Sequence, residues 1–161
     1  MDNCFSYFAN SHKLCYTDAY PYQGKYKVCQ EAKCERKHFM YDPVMSIEHI
    51  PKKDVYALMD ALDKQPVALA VQADSAMFTG YKSGVLLDTK DMKCGTKLNH
   101  AVLAVGYYYT GDILSEYNYI MVKNSWGESW GDEGYIRIGF GNLDKGGTCG
   151  FLLDASYPVT S

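Results

Sequence analysis

A histidine and a later asparagine stand out in this sequence as a pair of groups that could move a proton. His100 precedes the apolar run Ala-Val-Leu-Ala-Val, and Asn124 opens the segment Asn-Ser-Trp-Gly-Glu-Ser-Trp-Gly. An imidazole can serve as general base and general acid, and an amide oxygen can fix its orientation and tautomer by accepting a hydrogen bond. The indoles of Trp126 and Trp130 could exclude water from that bond and so keep it strong. These residues predict the base half of a Cys-His-Asn hydrolase.

The segments around this pair are predicted to be short strands. Four apolar or β-rich runs lie between turn residues, at 67–71, 101–105, 117–123 and 134–140. Paired with one another, they would form an antiparallel barrel. His100 would then stand at the entrance of one strand and Asn124 at the exit of another.

One amphipathic helix is predicted ahead of these strands. Asp54 is a candidate N-cap, and the helix should end at Gln65, because Pro66 disfavours the α conformation in the residue before it. The apolar residues recur with helical spacing at Val55, Leu58, Met59 and Leu62. A helical turn is also predicted at the start of the chain, where Phe5 and Phe8 share one side.

Length, charge and hydropathy exclude several classes of protein. The chain has 161 residues, 47% of them hydrophobic, which is enough to bury a sizeable core. A net charge of −3 gives no basic footprint, so we expect no nucleic-acid partner. No run approaches the roughly 18–20 apolar residues of a membrane span, and residues 1–20 show no signal peptide. We expect no membrane association and no cofactor.

Taken together, the motifs resemble those of the papain-like cysteine peptidases, and most closely the cathepsin L branch. The resemblance rests on Asn-His-Ala-Val at 99–102, Asn-Ser-Trp-Gly-x-x-Trp-Gly at 124–131, Gly-Tyr-Ile-Arg-Ile at 134–138 and Ser-Tyr-Pro-Val at 156–159. It implies an α+β fold with an antiparallel β-barrel. Residues 1–42 would be a remnant of the helical, left-hand half, and residues 43–161 the β-rich, right-hand half. The catalytic residues would be His100 and Asn124, acting on a peptide or protein substrate.

The resemblance further implies a disulfide, a substrate pocket and a compartment. Cys94 and Cys149 match a disulfide pair of the family. The pocket for the second residue before the scissile bond would be lined by Met1, Ala70, Leu98, Ala101 and Asp154. An acid at its floor would admit Arg or Lys besides Leu or Phe. Members of the family are lysosomal, vacuolar or secreted.

The nucleophile of such an enzyme is missing from this sequence. The papain-type cysteine stands about 130–150 residues before its His and Asn, which lies upstream of Met1. None of the six cysteines has the Gly-x-Cys-Trp context, including Cys4, which matches a helix beside the substrate groove. We therefore expect a truncated, C-terminal portion of a thiol endopeptidase that is inactive alone. A missing N-terminal half or a second chain would supply the cysteine and the oxyanion glutamine.

Two alternatives stay open at this point. The chain could be a non-catalytic pseudopeptidase that binds peptides or proteins through its groove. A zinc site could use Cys29, Cys34 and His38, with His49 as a further ligand, although we expect no metal. The pairing of Cys4, Cys15, Cys29 and Cys34 is likewise open, and Cys29 is either unpaired or joined to one of the other three.

Overall fold

The structure is a computed structural model that describes residues 1–9, 15–23, 25, 27–29 and 44–160. Its helices are α1 (Asp2–Ala9), α2 (Val55–Leu62) and α3 (Ala76–Thr79), with two 3-10 helices at Leu143–Lys145 and Thr148–Gly150. Its strands are β1 (Val44–His49), β2 (Val67–Val71), β3 (Val85–Leu86), β4 (His100–Tyr108), β5 (Tyr119–Lys123), β6 (Tyr135–Gly139) and β7 (Ala155–Thr160). No helix in this part of the chain is long and apolar enough to cross a membrane.

The chain divides into two compact units. The larger consists of Met1 and His49–Tyr157, and the smaller of Asp2–Glu48 and Pro158–Ser161. The predicted boundary between residues 42 and 43 lies outside the described residues and stays a prediction. All residues of the larger unit are described, and the candidate site lies within it.

A mixed sheet forms the framework of the larger unit. The strand order is β7-β2-β4-β5-β6-β3, and β1 is the neighbour of β7 on the other side. The β2–β4, β4–β5 and β5–β6 pairs are antiparallel, as predicted, and β2 also pairs antiparallel with β7. The short β3 departs from this pattern, because it runs parallel to β6. With few helices beside this sheet, the α+β class is confirmed.

Helix α2 shows how the local sequence sets an element and its end. The Asp54 side chain accepts a hydrogen bond from Ala57 N–H at 2.9 Å, so the predicted N-cap is present. The helix ends at Leu62, three residues before the predicted Gln65. Asp63 and Gln65 N–H still form i to i−4 hydrogen bonds, to the carbonyls of Met59 and Ala61, and Lys64 N–H donates to Ala61 in an i to i−3 bond. Helix-type hydrogen bonds therefore continue as turns up to Gln65, the residue before Pro66, although the regular helix has already ended.

The core of the larger unit lies between the inner face of the sheet and α2. Alternate residues of β2 are buried: Val67, Leu69 and Val71. On α2 the buried residues are Val55, Leu58, Met59 and Ala61. Full burial of each large aliphatic side chain contributes about 1.5–3 kcal/mol. This packing holds rigid the strands from which the site is built.

Predicted and observed strands agree where local pattern is strong. The run 67–71 coincides with β2, whereas β4 extends from His100 to Tyr108, past the predicted 101–105. Strands β5 and β6 fall inside the predicted runs 117–123 and 134–140. Strands β1, β3 and β7 were not predicted. Their pairing is with distant parts of the chain, which local alternation does not reveal.

Candidate active site

The register of β4 and β5 brings His100 and Asn124 together. Leu103 pairs with Lys123, so Asn124, directly after β5, lies beside the start of β4. Asn124 N–H donates to the carbonyl of Gly134 at 2.9 Å, which ties the end of β5 to the segment before β6. The result is a distance of 2.8 Å between His100 Nε2 and Asn124 Oδ1. The hydrogen bond expected from the sequence is thus present.

A neighbouring backbone group identifies which atom of the Asn124 side chain faces the histidine. Ser125 N–H donates to Asn124 Oδ1 at 2.8 Å, and only an oxygen can accept there. The same oxygen must then accept from His100 Nε2, so this network assigns the imidazole proton to Nε2. Nδ1 consequently carries the lone pair. Nδ1 is therefore a proton acceptor, and the hydrogen bond from Nε2 to Asn124 fixes the orientation of the imidazole ring.

Aromatic rings shield this hydrogen bond. Trp126 stacks on the imidazole, with ring centroids 5.1 Å apart and planes at 29°. Trp126 in turn meets the edge of Trp130 at 5.1 Å, and the Trp130 indole N–H donates to the carbonyl of Thr79 at 3.1 Å. Trp126 is 40% exposed and forms the outer wall. Trp126 therefore covers the imidazole, and Trp130 packs against Trp126.

Phe78 is the centre of this shield, and sequence reasoning missed it. Its ring lies 5.6 Å from Trp126 and 5.4 Å from Trp130, and it is fully buried. It also meets the edge of the His100 ring at 6.4 Å. Phe78 sits in the four-residue helix α3, which is too short to show helical periodicity. The available signal was Ser75, whose hydroxyl caps that helix by accepting from Phe78 N–H at 3.3 Å.

The buried amide of Asn124 is only partly satisfied. The residue is 8% exposed, and its Nδ2 has no hydrogen-bond partner among the described residues. An unsatisfied buried donor costs about 1–3 kcal/mol. Asn124 Oδ1 accepts two hydrogen bonds, whereas Nδ2 has no partner among the described residues and carries this energetic cost. The amide is therefore held as an acceptor for the histidine.

The segment before His100 is fixed by a second asparagine. Asn99 Oδ1 accepts from Ala73 N–H at 2.9 Å, and Asn99 N–H donates to the carbonyl of Val71 at 3.0 Å. Val71 also lies opposite His100 in the β2–β4 register. Asn99, the residue before His100, is therefore hydrogen-bonded through its side chain to Ala73 and through its backbone to Val71. Sequence reasoning did not single out Asn99.

Three of the five predicted pocket residues are neighbours. Ala70 lies opposite Ala101, and Ala70 N–H donates to the carbonyl of Asp154 at 2.9 Å. The side chain of Asp154 is exposed. Leu98 lies farther along, against Gly150, where an added Cβ would come within 3.0 Å of it. Met1 belongs to the same unit and is half-buried, and its place in the pocket stays a prediction.

Comparison with known proteins decides the family. Residues 1–159 match the family described as papain family cysteine protease. The chain belongs to this family. Cysteine endopeptidase RepA of Oryza sativa subsp. japonica is 40% identical over 100% of this chain and 40% of its own length. Cysteine proteinase EP-B 1 of Hordeum vulgare is 38% identical over 99% of this chain and 41% of its own length. The chain thus spans about 40% of the curated relatives it matches.

Solved structures of papain-like proteases share the fold. The crystal structure of the Carica candamarcensis cysteine protease CMS1MS2, in complex with E-64, superposes with a TM-score of 0.81 at 33% identity. That match covers 96% of this chain and 65% of the other. The proform of Amb a 11, a ragweed pollen cysteine protease, gives a TM-score of 0.83 at 32% identity and covers 100% of this chain and 41% of the other. The papain-like fold expected from the motifs is confirmed.

The cysteines of this papain-family chain are distributed between the two units. Cys94 and Cys149, the two cysteines of the larger unit, form a disulfide. In the smaller unit Cys15 is disulfide-bonded, whereas Cys4 and Cys29 are free, exposed thiols. Cys34 and His38, two ligands of the alternative zinc site, lie outside the described residues. Among those described, no three His, Cys, Asp or Glu side chains group as a metal site would.

Proposed function

We propose that this chain carries the base half of a cysteine-type endopeptidase, with His100 as catalytic acid and base and Asn124 as its orienting residue. The observation that carries the proposal is the bond of 2.8 Å from His100 Nε2 to an Asn124 oxygen that Ser125 N–H holds in place. It leaves Nδ1 as the nitrogen that can exchange a proton with a reacting group. Trp126 stacks on the imidazole and keeps water from the bond.

The chemistry that this geometry supports is acyl transfer through a thiol. A thiol gives its proton to His100 Nδ1, and the resulting thiolate attacks the carbonyl carbon of the substrate. When the C–N bond breaks, Nδ1–H passes its proton to the departing amine and a thioester remains. Nδ1 then takes a proton from a water molecule, whose oxygen attacks the thioester carbon. The C–S bond breaks, Nδ1–H returns the proton to the departing sulfur, and the carboxylic acid and the thiol are released. Asn124 keeps Nε2 protonated throughout both steps.

We propose that the attacking thiol is supplied by residues outside this sequence. Both cysteines of the larger unit are joined in a disulfide, so that unit offers no thiol of its own. None of the cysteines in the smaller unit has the sequence context of a papain-type nucleophile. The curated relatives are more than twice as long as the matched region, which leaves room for such a segment in them. Alone, the chain would then be inactive.

Substrate selection by this half would depend on the pocket around Ala70 and Ala101. Small side chains on these facing residues leave space. The exposed Asp154 lies directly before β7, and its backbone carbonyl accepts from Ala70 N–H at 2.9 Å. In the assembled enzyme, Asp154→Ala should reduce the cleavage of peptides that carry Arg at the second position before the scissile bond. Peptides that carry Leu at that position should be cleaved as before. Paired peptides that differ only at this position measure it. Equal loss for Arg and Leu would contradict the assignment.

A lysosomal, vacuolar or secreted location is part of the same proposal. The buried Cys94–Cys149 disulfide supports it, because disulfides persist in oxidising compartments and are rare in the cytosol.

The test is to isolate the protein from its native source under non-reducing conditions and identify every polypeptide present by mass spectrometry. Peptidase activity is then followed during alkylation with iodoacetamide. We expect activity to fall in proportion to modification of one cysteine that is none of the six in this sequence. Inactivation through Cys4 or Cys29 would place the nucleophile in this chain. A native species without any peptidase activity would favour the non-catalytic, peptide-binding alternative.

A further inference from the structure

An acidic side chain close to His100 has no role in the chemistry described so far. Asp74 follows β2 and accepts a hydrogen bond from Gln72 Nε2 at 2.9 Å. The Gln72 Oε1 accepts from Lys97 N–H at 2.7 Å, so the glutamine is held at both ends. The Asn99 side-chain oxygen accepts from Ala73 N–H at 2.9 Å, which ties the residue before Asp74 to the residue before His100. The Gln72 amide therefore holds the exposed carboxylate, and the Asn99 amide holds the backbone that leads to it.

This network positions the negative charge of Asp74 without neutralising it. The Gln72 amide is the main cause that holds the pKa of the Asp74 carboxyl below its ordinary value, with smaller contributions from Asn99 and from the Lys97 charge. Lys97 acts at a distance and forms no ion pair with it within the described part of the chain. The carboxylate thus stays ionised in mildly acidic solution. It remains open to a cation from outside.

The register of β2 and β4 places Asp74 on one particular side of the histidine. Val71 lies opposite His100, and Ala70 lies opposite Ala101, on the side of the candidate pocket. Asp74 continues β2 in the other direction, and the preceding residue, Ala73, donates its N–H to the side chain of Asn99, the residue before His100. Adjacent Cα atoms are about 3.8 Å apart, so the Asp74 backbone lies within roughly 11 Å of Val71, the residue opposite His100. That distance corresponds to two or three extended substrate residues.

The two sides of His100 receive different parts of a cleaved peptide. In the proposed reaction the acyl part stays with the thiol and occupies the pocket at Ala70 and Ala101. The amine that receives the proton from Nδ1 must continue past the imidazole, away from that pocket. Asp74 lies on this leaving-group side.

We propose that Asp74, held by Gln72, selects substrates with Arg or Lys at the first or second position after the scissile bond. The inference rests on the proposed function and extends it to the half of the substrate that the pocket does not contact. An exposed pair between a carboxylate and a guanidinium or ammonium favours such a substrate by about threefold. The attraction weakens with salt, because mobile ions screen exposed charges.

The experiment uses the assembled native enzyme and quenched-fluorescence peptides with Leu fixed at the second position before the bond. The peptides differ only in carrying Ala, Arg or Glu at each of the first three positions after it. We expect Asp74→Asn to lower the Arg-to-Ala ratio of kcat/KM about threefold at the first or second position, mainly through KM. Asp74→Lys should turn the preference towards Glu.

A matched control removes one negative charge elsewhere in the same unit. Glu116 is exposed in the connection between β4 and β5, at the ends of the strands where Tyr108 pairs with Tyr119. That end is about 27 Å from His100 along β4. Glu116→Gln should leave the Arg-to-Ala ratio unchanged.

The possible outcomes separate this inference from the function on which it rests. If the unmodified enzyme cleaves the Leu-Ala peptide but Asp74→Asn and Glu116→Gln give the same ratio, Asp74 is not a specificity residue and the endopeptidase function stands. If no peptide is cleaved, the function fails and the inference fails with it. Should Asp74→Asn not fold, the unmodified enzyme decides alone: its Arg preference must decline between 50 and about 500 mM salt. A salt-independent preference overturns the proposal.

Discussion

The two ends of the β4–β5 pair are both lined with aromatic residues, yet they use them in opposite ways. At one end Trp126 stacks on His100 and covers its bond to Asn124. At the other end Tyr108 stacks on Tyr119 at 5.8 Å. The first end surrounds a polar pair that can move a proton, and the second consolidates the sheet. The same strands thus carry a reactive end and a structural end.

Hydrogen bonding at the structural end ties the sheet to α2. The Tyr107 hydroxyl donates to Asp63 at 2.9 Å, and the hydroxyls of Tyr56 and Tyr109 lie 3.5 Å apart. At the reactive end, by contrast, Asn124 Nδ2 is buried without a partner among the described residues. Violations of local structural rules, such as a buried polar group without a hydrogen bond, are expected mainly at functional sites. The unsatisfied amide therefore marks the end at which chemistry is expected.

The largest effect should come from His100→Ala at the reactive end. Without the imidazole no group can exchange protons with thiol and leaving amine, so kcat in the assembled enzyme should fall by at least about 10⁴-fold. The free energy of unfolding should change by only about 1 kcal/mol, the value of one hydrogen bond. Peptide cleavage and chemical denaturation measure the two quantities. Retained activity would show that the proton exchange occurs elsewhere.

Phe78→Ala should lower both kcat and the free energy of unfolding, whereas His100→Ala should lower mainly kcat. Removing a fully buried phenylalanine leaves a cavity and should cost about 3–5 kcal/mol of unfolding free energy. Trp126 and Trp130 both lose a packed neighbour, so kcat should decline as well. Leu114→Ala is the control, since that side chain is 89% exposed. Stability loss without loss of activity would mean that the shield does not need Phe78.

The smallest effect should come from Tyr107→Phe at the structural end, and it should depend on pH. The hydrogen bond to Asp63 is the main cause that raises the Tyr107 pKa above its ordinary value of 10.0. A raised pKa in the folded state means that the neutral phenol is stabilised, so this contribution is complete below about pH 10 and is lost at higher pH. Melting temperatures of both proteins should differ at pH 7 and converge above pH 10. A difference that persists at high pH would contradict the role of this bond.

Local pattern was sufficient for part of the fold. The Asp54 cap, α2 and the four strands from β2 to β6 that carry strong apolar or β-branched runs were predicted within a few residues. The two-residue β3 was missed because its parallel partner, β6, lies some 50 residues later in the chain. Phe78 was missed for a related reason, since its burial depends on indoles that follow it by about the same interval. Contacts between residues so far apart in the chain produce no periodic pattern in the local sequence.

What the sequence by itself determined is the chemistry of the parts. Its motifs identify His100, Asn124 and the two tryptophans, and they carry the family resemblance that the comparisons confirm. Only the tertiary structure decided how these groups are connected. The strand register sets the distance from Nε2 to Oδ1, and the Ser125 N–H determines that Nδ1 is the free nitrogen. Residue types depend on the sequence alone, whereas distances of a few ångströms between residues 24 apart depend on how the strands pair.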